Sequence, residues 1–218
     1  CQRFGREKIY LMGHSGGTFI GLQVAAETPE LYHAYIGVAQ MVNQRASEKE
    51  AYDYMLRSFE KQGDQRMADR LRKAPVPREG DIPEAYLAVR DQAMHRSGVG
   101  TMHTMRSVLR GLWIPSLFFR EYSFADKVNL WRAKAKSGVS SIWNEILATD
   151  LSQRITRLDV PFYVFHGAMD YTVSYALSKA YFERVQAPLK GFYTFARSAH
   201  CPIFEEPQKA AQIMVCDV

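Results

Sequence analysis

Cysteine is scarce in this sequence, and long apolar runs are missing. The three cysteines, Cys1, Cys201 and Cys216, are too few and too irregularly spaced for a disulfide framework, and they match no zinc-ligand spacing. The apolar runs, such as residues 9–12, are strand-sized and far short of the roughly 20 residues that a membrane-spanning helix needs. The basic residues at the start are not followed by the apolar stretch and small-residue cleavage site of a secretory signal. We therefore expect reduced thiols, no metal or cofactor, no membrane contact and a cytoplasmic location.

The excess of positive charge is small. Lys and Arg number 28 against 23 Asp and Glu, for a formal net charge of +5, and basic residues are interleaved with acidic ones through the middle of the chain. This pattern is typical of solvated helix faces rather than of a nucleic-acid-binding surface. The 47% hydrophobic content is ordinary for a globular protein of 218 residues. We expect one substantial core and no nucleic-acid partner.

Strand and helix patterns alternate near both ends of the chain. Four short apolar runs predict buried strands, at residues 8–12, 34–39, 160–165 and 191–195. Three of these runs are followed by helical patterns, at residues 18–28, 173–185 and 206–214. The alternation predicts a parallel sheet with helices on both faces, in which active sites form at the carboxyl ends of the strands.

The middle of the chain has a different character. Between Gln44 and Leu158, long charged helical stretches such as Ser47 to Lys73 are separated by prolines and glycines. We interpret this region as a helical insertion. The predicted organisation is a core segment at 1–43, a helical cap at 44–158 and a second core segment at 159–218.

The first predicted strand ends in a nucleophile motif. Gly13-His14-Ser15-Gly16-Gly17 fits the pattern G-x-S-x-G, in which small neighbours let a serine adopt a strained turn with its hydroxyl exposed. An apolar strand precedes the motif and a helix follows it, as the motif requires. Ser15 is therefore the candidate nucleophile.

A serine nucleophile needs a base and a third group that orients the base. Of the six histidines, His200 follows the last predicted strand, whereas His14 should point away from the serine and His166 should pack or hydrogen-bond locally. Asp170 follows the third predicted strand, and the residues after the second one contain no rival carboxylate. The candidate triad is Ser15, Asp170 and His200, in that chain order.

Taken together, the motifs around the triad resemble the α/β-hydrolase superfamily, and the insertion resembles the cap of its proline iminopeptidase-like branch. The resemblance covers nearly the whole chain and rests on three segments: Gly13-His14-Ser15-Gly16-Gly17, His166-Gly167-Ala168-Met169-Asp170 and Ser198-Ala199-His200. It implies an α/β-hydrolase fold, with a mostly parallel sheet flanked by helices and a large helical cap insertion. Epoxide hydrolases and haloalkane dehalogenases of similar fold have an aspartate at the nucleophile position, so Ser15 argues against both reactions.

The resemblance also implies a reaction. Ser15 would attack a carbonyl, His200 would take the serine proton, Asp170 would orient His200, and water would release the acyl group. The backbone N–H of Gly16 would be one oxyanion donor. The expected substrate is an ester or amide of a small molecule or short peptide, with esterase-like and aminopeptidase-like specificity both open. The alternatives are a non-catalytic binding module and a cofactor-free haloperoxidase-like enzyme with the same triad.

Part of the superfamily's fold has no counterpart in these residues. Members carry early strands before the nucleophile motif, and a His-Gly-rich loop there supplies the second oxyanion donor, whereas only fourteen residues precede Ser15 here. We expect that the early strands are missing, that the strand before Ser15 exposes backbone and apolar surface, and that residues 1–218 alone are inactive.

Two sets of cap residues are candidates for the substrate pocket. Trp113, Phe118 and Phe119 lie in an aromatic run interrupted by proline, which suits an apolar wall over Ser15. Aminopeptidases of the branch hold the substrate's free amine with cap carboxylates. The cap offers five without singling one out, namely Glu48, Glu50, Asp53, Glu60 and Asp64.

Overall fold

The computed structural model describes residues 1, 3, 5–136 and 141–218. In these parts of the chain, four strands form one parallel sheet in chain order: β1 (Ile9–His14), β2 (Tyr32–Val38), β3 (Phe162–Gly167) and β4 (Lys190–Phe195). The helices described are α1 (Gly16–Glu27), α2 (Gln44–Lys61), α3 (Gln65–Arg72), α4 (Glu84–Ser97), α5 (Ile114–Ser116), α6 (Phe124–Lys136), α7 (Ser141–Ala148), α8 (Leu151–Arg154), α9 (Tyr175–Arg184), α10 (Pro202–Glu205) and α11 (Pro207–Cys216).

The strand register aligns the carboxyl ends of the four strands. His14 pairs with Val38, Val38 pairs with Phe165, and Gly167 pairs with Phe195. Parallel strands need crossover connections, and α1 and α9 provide two of them. The loops that follow the strands therefore all begin at the same end of the sheet, where the strands have their carboxyl ends.

Alternate strand residues pack on opposite faces of the sheet. On one face, Tyr35 and Val164 belong to a core that includes buried residues of α1 and α9. On the other face, Ile36 and Phe165 belong to a core that includes α11. The predicted α/β architecture with helices on both faces is confirmed.

The helices between β2 and β3 build a further core. Residues of α2, α3 and α4 pack around Met55, Phe59, Leu71 and Tyr86, which are almost fully buried. α7 and α8 contribute Ile146 and Leu151 to the sheet core that contains Tyr35, and Leu147 of α7 also packs against the helical core. Between α4 and α6, a π-helical turn at Leu109–Trp113 leads into α5.

The long helix predicted from Ser47 to Lys73 is interrupted, so that prediction was wrong in one respect. α2 ends at Lys61, and Gly63 then adopts a left-handed conformation with a φ of 75°. Asp64 starts α3 by accepting a hydrogen bond from the Met67 N–H (3.1 Å). Glycine tolerates positive φ without steric cost, which allows the chain to turn between α2 and α3.

β1 lies at the edge of the sheet, and within the described residues no strand pairs with its outer side. Tyr10 and Met12 are 54% and 43% exposed. In the described residues, no helix is both long enough and apolar enough to cross a membrane.

Candidate active site

Ser15 lies in the turn between β1 and α1. Its backbone has a φ of 55° and a ψ of −124°, a conformation that is costly for a residue with a side chain. The Ser15 N–H donates to the Val38 carbonyl (3.0 Å), and the Ser15 carbonyl accepts from the N–H and the hydroxyl of Thr18 (2.8 and 2.6 Å). These hydrogen bonds hold the strained turn, while Ser15 remains partly exposed.

The glycines of the motif meet different steric surroundings. A Cβ placed on Gly13 would lie 2.7 Å from the carbonyl oxygen of Gly17, which is closer than real Cβ contacts allow. A Cβ on Gly16 or Gly17 would meet nothing within 4 Å. The close approach of α1 to β1 therefore requires glycine at position 13.

Asp170 and His200 form a buried hydrogen-bonded pair. His200 Nδ1 donates to Asp170 Oδ2 (2.9 Å), and the other carboxylate oxygen accepts from the Val173 N–H (2.9 Å). Burial raises the pKa of Asp170, but the charge of His200 and the hydrogen bonds from His166 and His200 outweigh burial and hold this pKa well below its ordinary value. Asp170 is therefore an anion at neutral pH, and it favours the His200 tautomer whose Nε2 is unprotonated.

His166 is a second histidine at the Asp170 carboxylate. It is fully buried at the end of β3, and its Nε2 lies 3.2 Å from the Val173 carbonyl and 3.3 Å from Asp170 Oδ2. Among the described residues its Nδ1 has no hydrogen-bond partner. His166 thus bonds locally, as the sequence predicts, and it also helps to keep Asp170 ionised.

His14, the residue before Ser15, links the serine turn to the loop that carries His200. Its Nε2 donates to the backbone carbonyl of His200 (2.9 Å), and the two rings are 5.1 Å apart. Burial lowers the pKa of His14, which favours the neutral form. The sequence pattern does not predict this contact, through which the residue next to Ser15 packs against His200. Within the described residues, the Ser15 hydroxyl itself forms no hydrogen bond with His200.

The acid loop, residues 168–174, is docked on the cap helix α2. Four contacts join them. The Gln44 amide donates to the Thr172 carbonyl (2.8 Å), the Ser174 N–H donates to the Ser47 hydroxyl (3.1 Å), the Ser174 hydroxyl donates to Glu50, and the rings of Tyr54 and Tyr171 stack 4.1 Å apart. Asp170 is therefore held in a loop that the cap supports directly.

Two of the three predicted pocket aromatics pack against other aromatic rings of the cap, and the third is exposed. Trp113 packs edge-on against Trp131 (5.2 Å between ring centres), Phe119 packs against Tyr122 (6.0 Å), and Phe118 is 76% exposed. An apolar depression of about 490 Å³ near them is lined by Leu117, Phe124, Lys127, Val128, Trp131 and Arg132. An apolar wall over Ser15 stays a prediction.

The five candidate cap carboxylates all have partners. Glu48 is fully buried and receives two hydrogen bonds from Arg90 (2.6 and 2.7 Å) and one from the Tyr86 hydroxyl (3.0 Å). The other four are engaged as follows: Glu50 with Ser174, Asp53 with Lys49, Glu60 with Arg72, and Asp64 with Arg96. A substrate amine would have to displace one of these partners.

The cysteines are free thiols. Cys201 Sγ lies 3.9 Å from His14 Nε2, and burial raises the pKa of this thiol to about 12, so it is protonated and unreactive at neutral pH. In the part of the chain that the structure describes, no group of three His, Cys, Asp or Glu residues is arranged to hold a metal ion.

Comparison with known proteins identifies the family. The profile of the alpha/beta hydrolase fold matches residues 1–207, and the chain belongs to the α/β-hydrolase-fold family. The probable aminopeptidase YbaC of Bacillus subtilis (strain 168) is 28% identical over 213 residues, which are 97% of this chain and 65% of that protein. The chain thus spans about two thirds of the length of this curated relative.

Solved structures share the fold at low sequence identity. A proline iminopeptidase from Mycobacterium smegmatis aligns with 98% of this chain and 66% of its own, with a TM-score of 0.59 and 13% identity. An esterase from Thermogutta terrifontis aligns with 99% of this chain and 66% of its own, with a TM-score of 0.55 and 15% identity. The resemblance predicted from the motifs is confirmed at the level of family and fold.

Proposed function

We propose that this chain carries the triad of a serine hydrolase that cleaves an ester or amide bond through an acyl-enzyme. One observation carries the proposal: a buried, ionised Asp170 is hydrogen-bonded to His200 beside the strained turn that presents Ser15. Residues that only stabilise a fold seldom include an oriented imidazole next to a strained, partly exposed serine. Acyl transfer by a serine needs both.

The proposed reaction has two halves. The Ser15 oxygen attacks the substrate carbonyl carbon while its proton passes to His200 Nε2, and the Gly16 N–H donates to the oxyanion that forms. His200 then protonates the leaving alcohol or amine, and an acyl group remains on Ser15. In the second half, His200 takes a proton from water, the water oxygen attacks the acyl carbon, and the carboxylic acid is released as Ser15 regains its proton.

Aminopeptidase-like cleavage is a second candidate, because the relative from Bacillus subtilis is described as a probable aminopeptidase. For one of the five candidate carboxylates to bind a substrate amine, its present partner would have to be displaced. Glu48 is ion-paired with Arg90, and the other four also have partners. The ester or amide of a small, partly apolar molecule or short peptide is therefore the substrate class we propose, with no nucleic-acid or membrane partner and a cytoplasmic location.

The test is labelling of the full-length protein with a fluorophosphonate, which reacts quickly only with an activated serine. We expect rapid labelling that is lost in Ser15→Ala and retained in Ser58→Ala, a partly exposed control serine on α2. A screen of short acyl esters against aminoacyl amides then separates esterase from aminopeptidase.

Other outcomes point to other functions. A folded protein that is not labelled would contradict the proposal and favour a binding module. Peroxide-dependent halogenation that is lost in Ser15→Ala would favour haloperoxidase-like chemistry instead of acyl transfer to water.

A further inference from the structure

Two adjacent carboxylates hold the histidine loop, residues 196–201. Glu206 Oε1 accepts hydrogen bonds from the Arg197 N–H (3.0 Å) and the Ser198 hydroxyl (2.7 Å). Glu205 Oε1 accepts from the N–H of Ala199 (2.8 Å), the residue directly before the proposed base. The backbone that precedes His200 is therefore anchored to side chains at the junction between α10 and α11.

The second oxygen of Glu205 bonds the cap. Glu205 Oε2 accepts from the His103 N–H (2.6 Å), and His103 belongs to the cap loop, residues 98–104, which follows α4. One carboxylate thus spans two backbone N–H groups that are 96 residues apart in sequence, one in the histidine loop and one in the cap. Hydrogen bonds to an ionised acceptor are about twice as strong as neutral ones.

The cap loop also meets the loops of the triad through its backbone. The Gly100 carbonyl oxygen lies 3.4 Å from the backbone nitrogen of His200. The Val99 carbonyl oxygen lies 3.4 Å from the backbone nitrogen of Tyr171, the residue after Asp170. Within the cap loop, His103 Nδ1 donates to the Gly98 carbonyl (2.8 Å). The cap loop is therefore a folded unit seated on both the histidine loop and the acid loop.

We propose that Glu205 is a positioning residue that couples the seating of the cap loop to the orientation of His200. The inference rests on the function proposed above and adds a means of regulating it. When the cap loop is seated, both Glu205 oxygens have partners and the carboxylate is fixed under Ala199. When the cap loop moves away, Oε2 loses its partner, the carboxylate gains freedom, and the His200 backbone loses part of its support. The reactivity of Ser15 thus depends on the position of the cap.

Three variants test this coupling in the full-length protein. Glu205→Ala removes both bridges, Glu205→Gln keeps one acceptor but turns an amide N–H₂ toward the other backbone donor, and Glu30→Gln is a matched control. Glu30 is exposed at the amino end of β2, on the side of the sheet opposite the triad loops. The measurement is the rate constant of fluorophosphonate labelling, because a fraction of misfolded protein lowers the amplitude of labelling but not its rate constant.

We expect the rate constant to fall roughly 10- to 100-fold in Glu205→Ala, less in Glu205→Gln and not in Glu30→Gln, as for loss of a hydrogen bond to a charged group. Hydrogen exchange provides the second readout. In Glu205→Ala, the amides of Ala199 and His103 should lose protection together.

The possible results separate this inference from the proposed function. Rate constants within about 2-fold of the wild type in both Glu205 variants would overturn the inference while the proposed function stands. Loss of protection at Ala199 with unchanged protection at His103 would also overturn it, because the cap would then be uncoupled. An unlabelled wild-type protein would overturn the proposed function and the inference together.

Discussion

Asp170 illustrates how a single side chain is controlled by its surroundings. Burial alone would favour its protonated form, yet His200 and His166 both bond the same carboxylate oxygen and keep it ionised. The same anion then selects the His200 tautomer that can accept a proton from Ser15. Replacing this carboxylate should therefore change both reactivity and the dependence of stability on pH.

The pH dependence of stability follows from the lowered pKa of Asp170. A carboxylate whose pKa is lower in the folded state stabilises the fold above its ordinary pKa of about 3.9, and this contribution is lost as pH falls through the folded pKa. We expect the difference in unfolding free energy between wild type and Asp170→Asn to be largest near neutral pH and to shrink below about pH 4. Urea unfolding at several pH values measures it.

The exposed pair of Asp159 and Arg157 offers the matched control. Asp159→Asn should leave the pH profile almost unchanged, since exposed ion pairs contribute little. Parallel stability curves for wild type and Asp170→Asn down to pH 3 would contradict the lowered pKa.

The side chains of the site differ in how far sequence could predict them. The sequence predicts Asp170 and His200 as site residues because each follows a predicted strand, and parallel strands have their carboxyl ends at the same end of a sheet. The bond from His14 to the His200 carbonyl joins residues 186 positions apart, and it depends on how two loops fold over each other. The Glu205 bridge is of the same kind, since its partners are backbone N–H groups that carry no residue-specific signal.

At the scale of elements, the contact between β1 and α1 positions the nucleophile. Gly13→Ala would press a Cβ against the Gly17 carbonyl, and overpacking of this kind costs about 1–3 kcal/mol. Gly17→Ala meets open space within α1 and removes a flexible glycine from a helix, so it should be neutral or stabilising. Thermal unfolding of the two variants measures the difference, and equal midpoints would contradict the close approach.

The elements themselves were predicted to within a few residues where strand and helix patterns alternate. The apolar runs set the four strands, because buried parallel strands need continuous apolar side chains. The break between α2 and α3 was missed because Gly63 and Asp64 are common surface residues, and only the left-handed backbone at Gly63 reveals the turn. The support that α2 gives to the acid loop is tertiary packing, which helical periodicity does not encode.

At the scale of the whole molecule, the edge strand β1 is the part of the sheet that is least covered. The core on the α11 side covers β2 to β4, while Tyr10 and Met12 of β1 are largely uncovered. An edge strand with exposed apolar side chains is a template for pairing with another chain. This agrees with the expectation that the strand before Ser15 exposes apolar surface.

We therefore expect residues 1–218, prepared alone, to associate as concentration rises, and Met12→Lys to reduce this association by placing a charge on the edge strand. Val215→Lys adds the same charge to an exposed site on α11 and should have less effect. Sedimentation velocity over a concentration series gives the measurement. A monomeric wild-type preparation at all concentrations would contradict the prediction.

The central claim is that Ser15 and His200 act as nucleophile and base, and the rate constant for fluorophosphonate reaction at Ser15 tests it most directly. The adduct should map to Ser15, and His200→Gln should lower the rate constant by at least about 10³-fold. His33→Gln, at an exposed histidine of β2, should retain the wild-type rate. An adduct on another residue, or an equal rate constant in His200→Gln, would contradict the account.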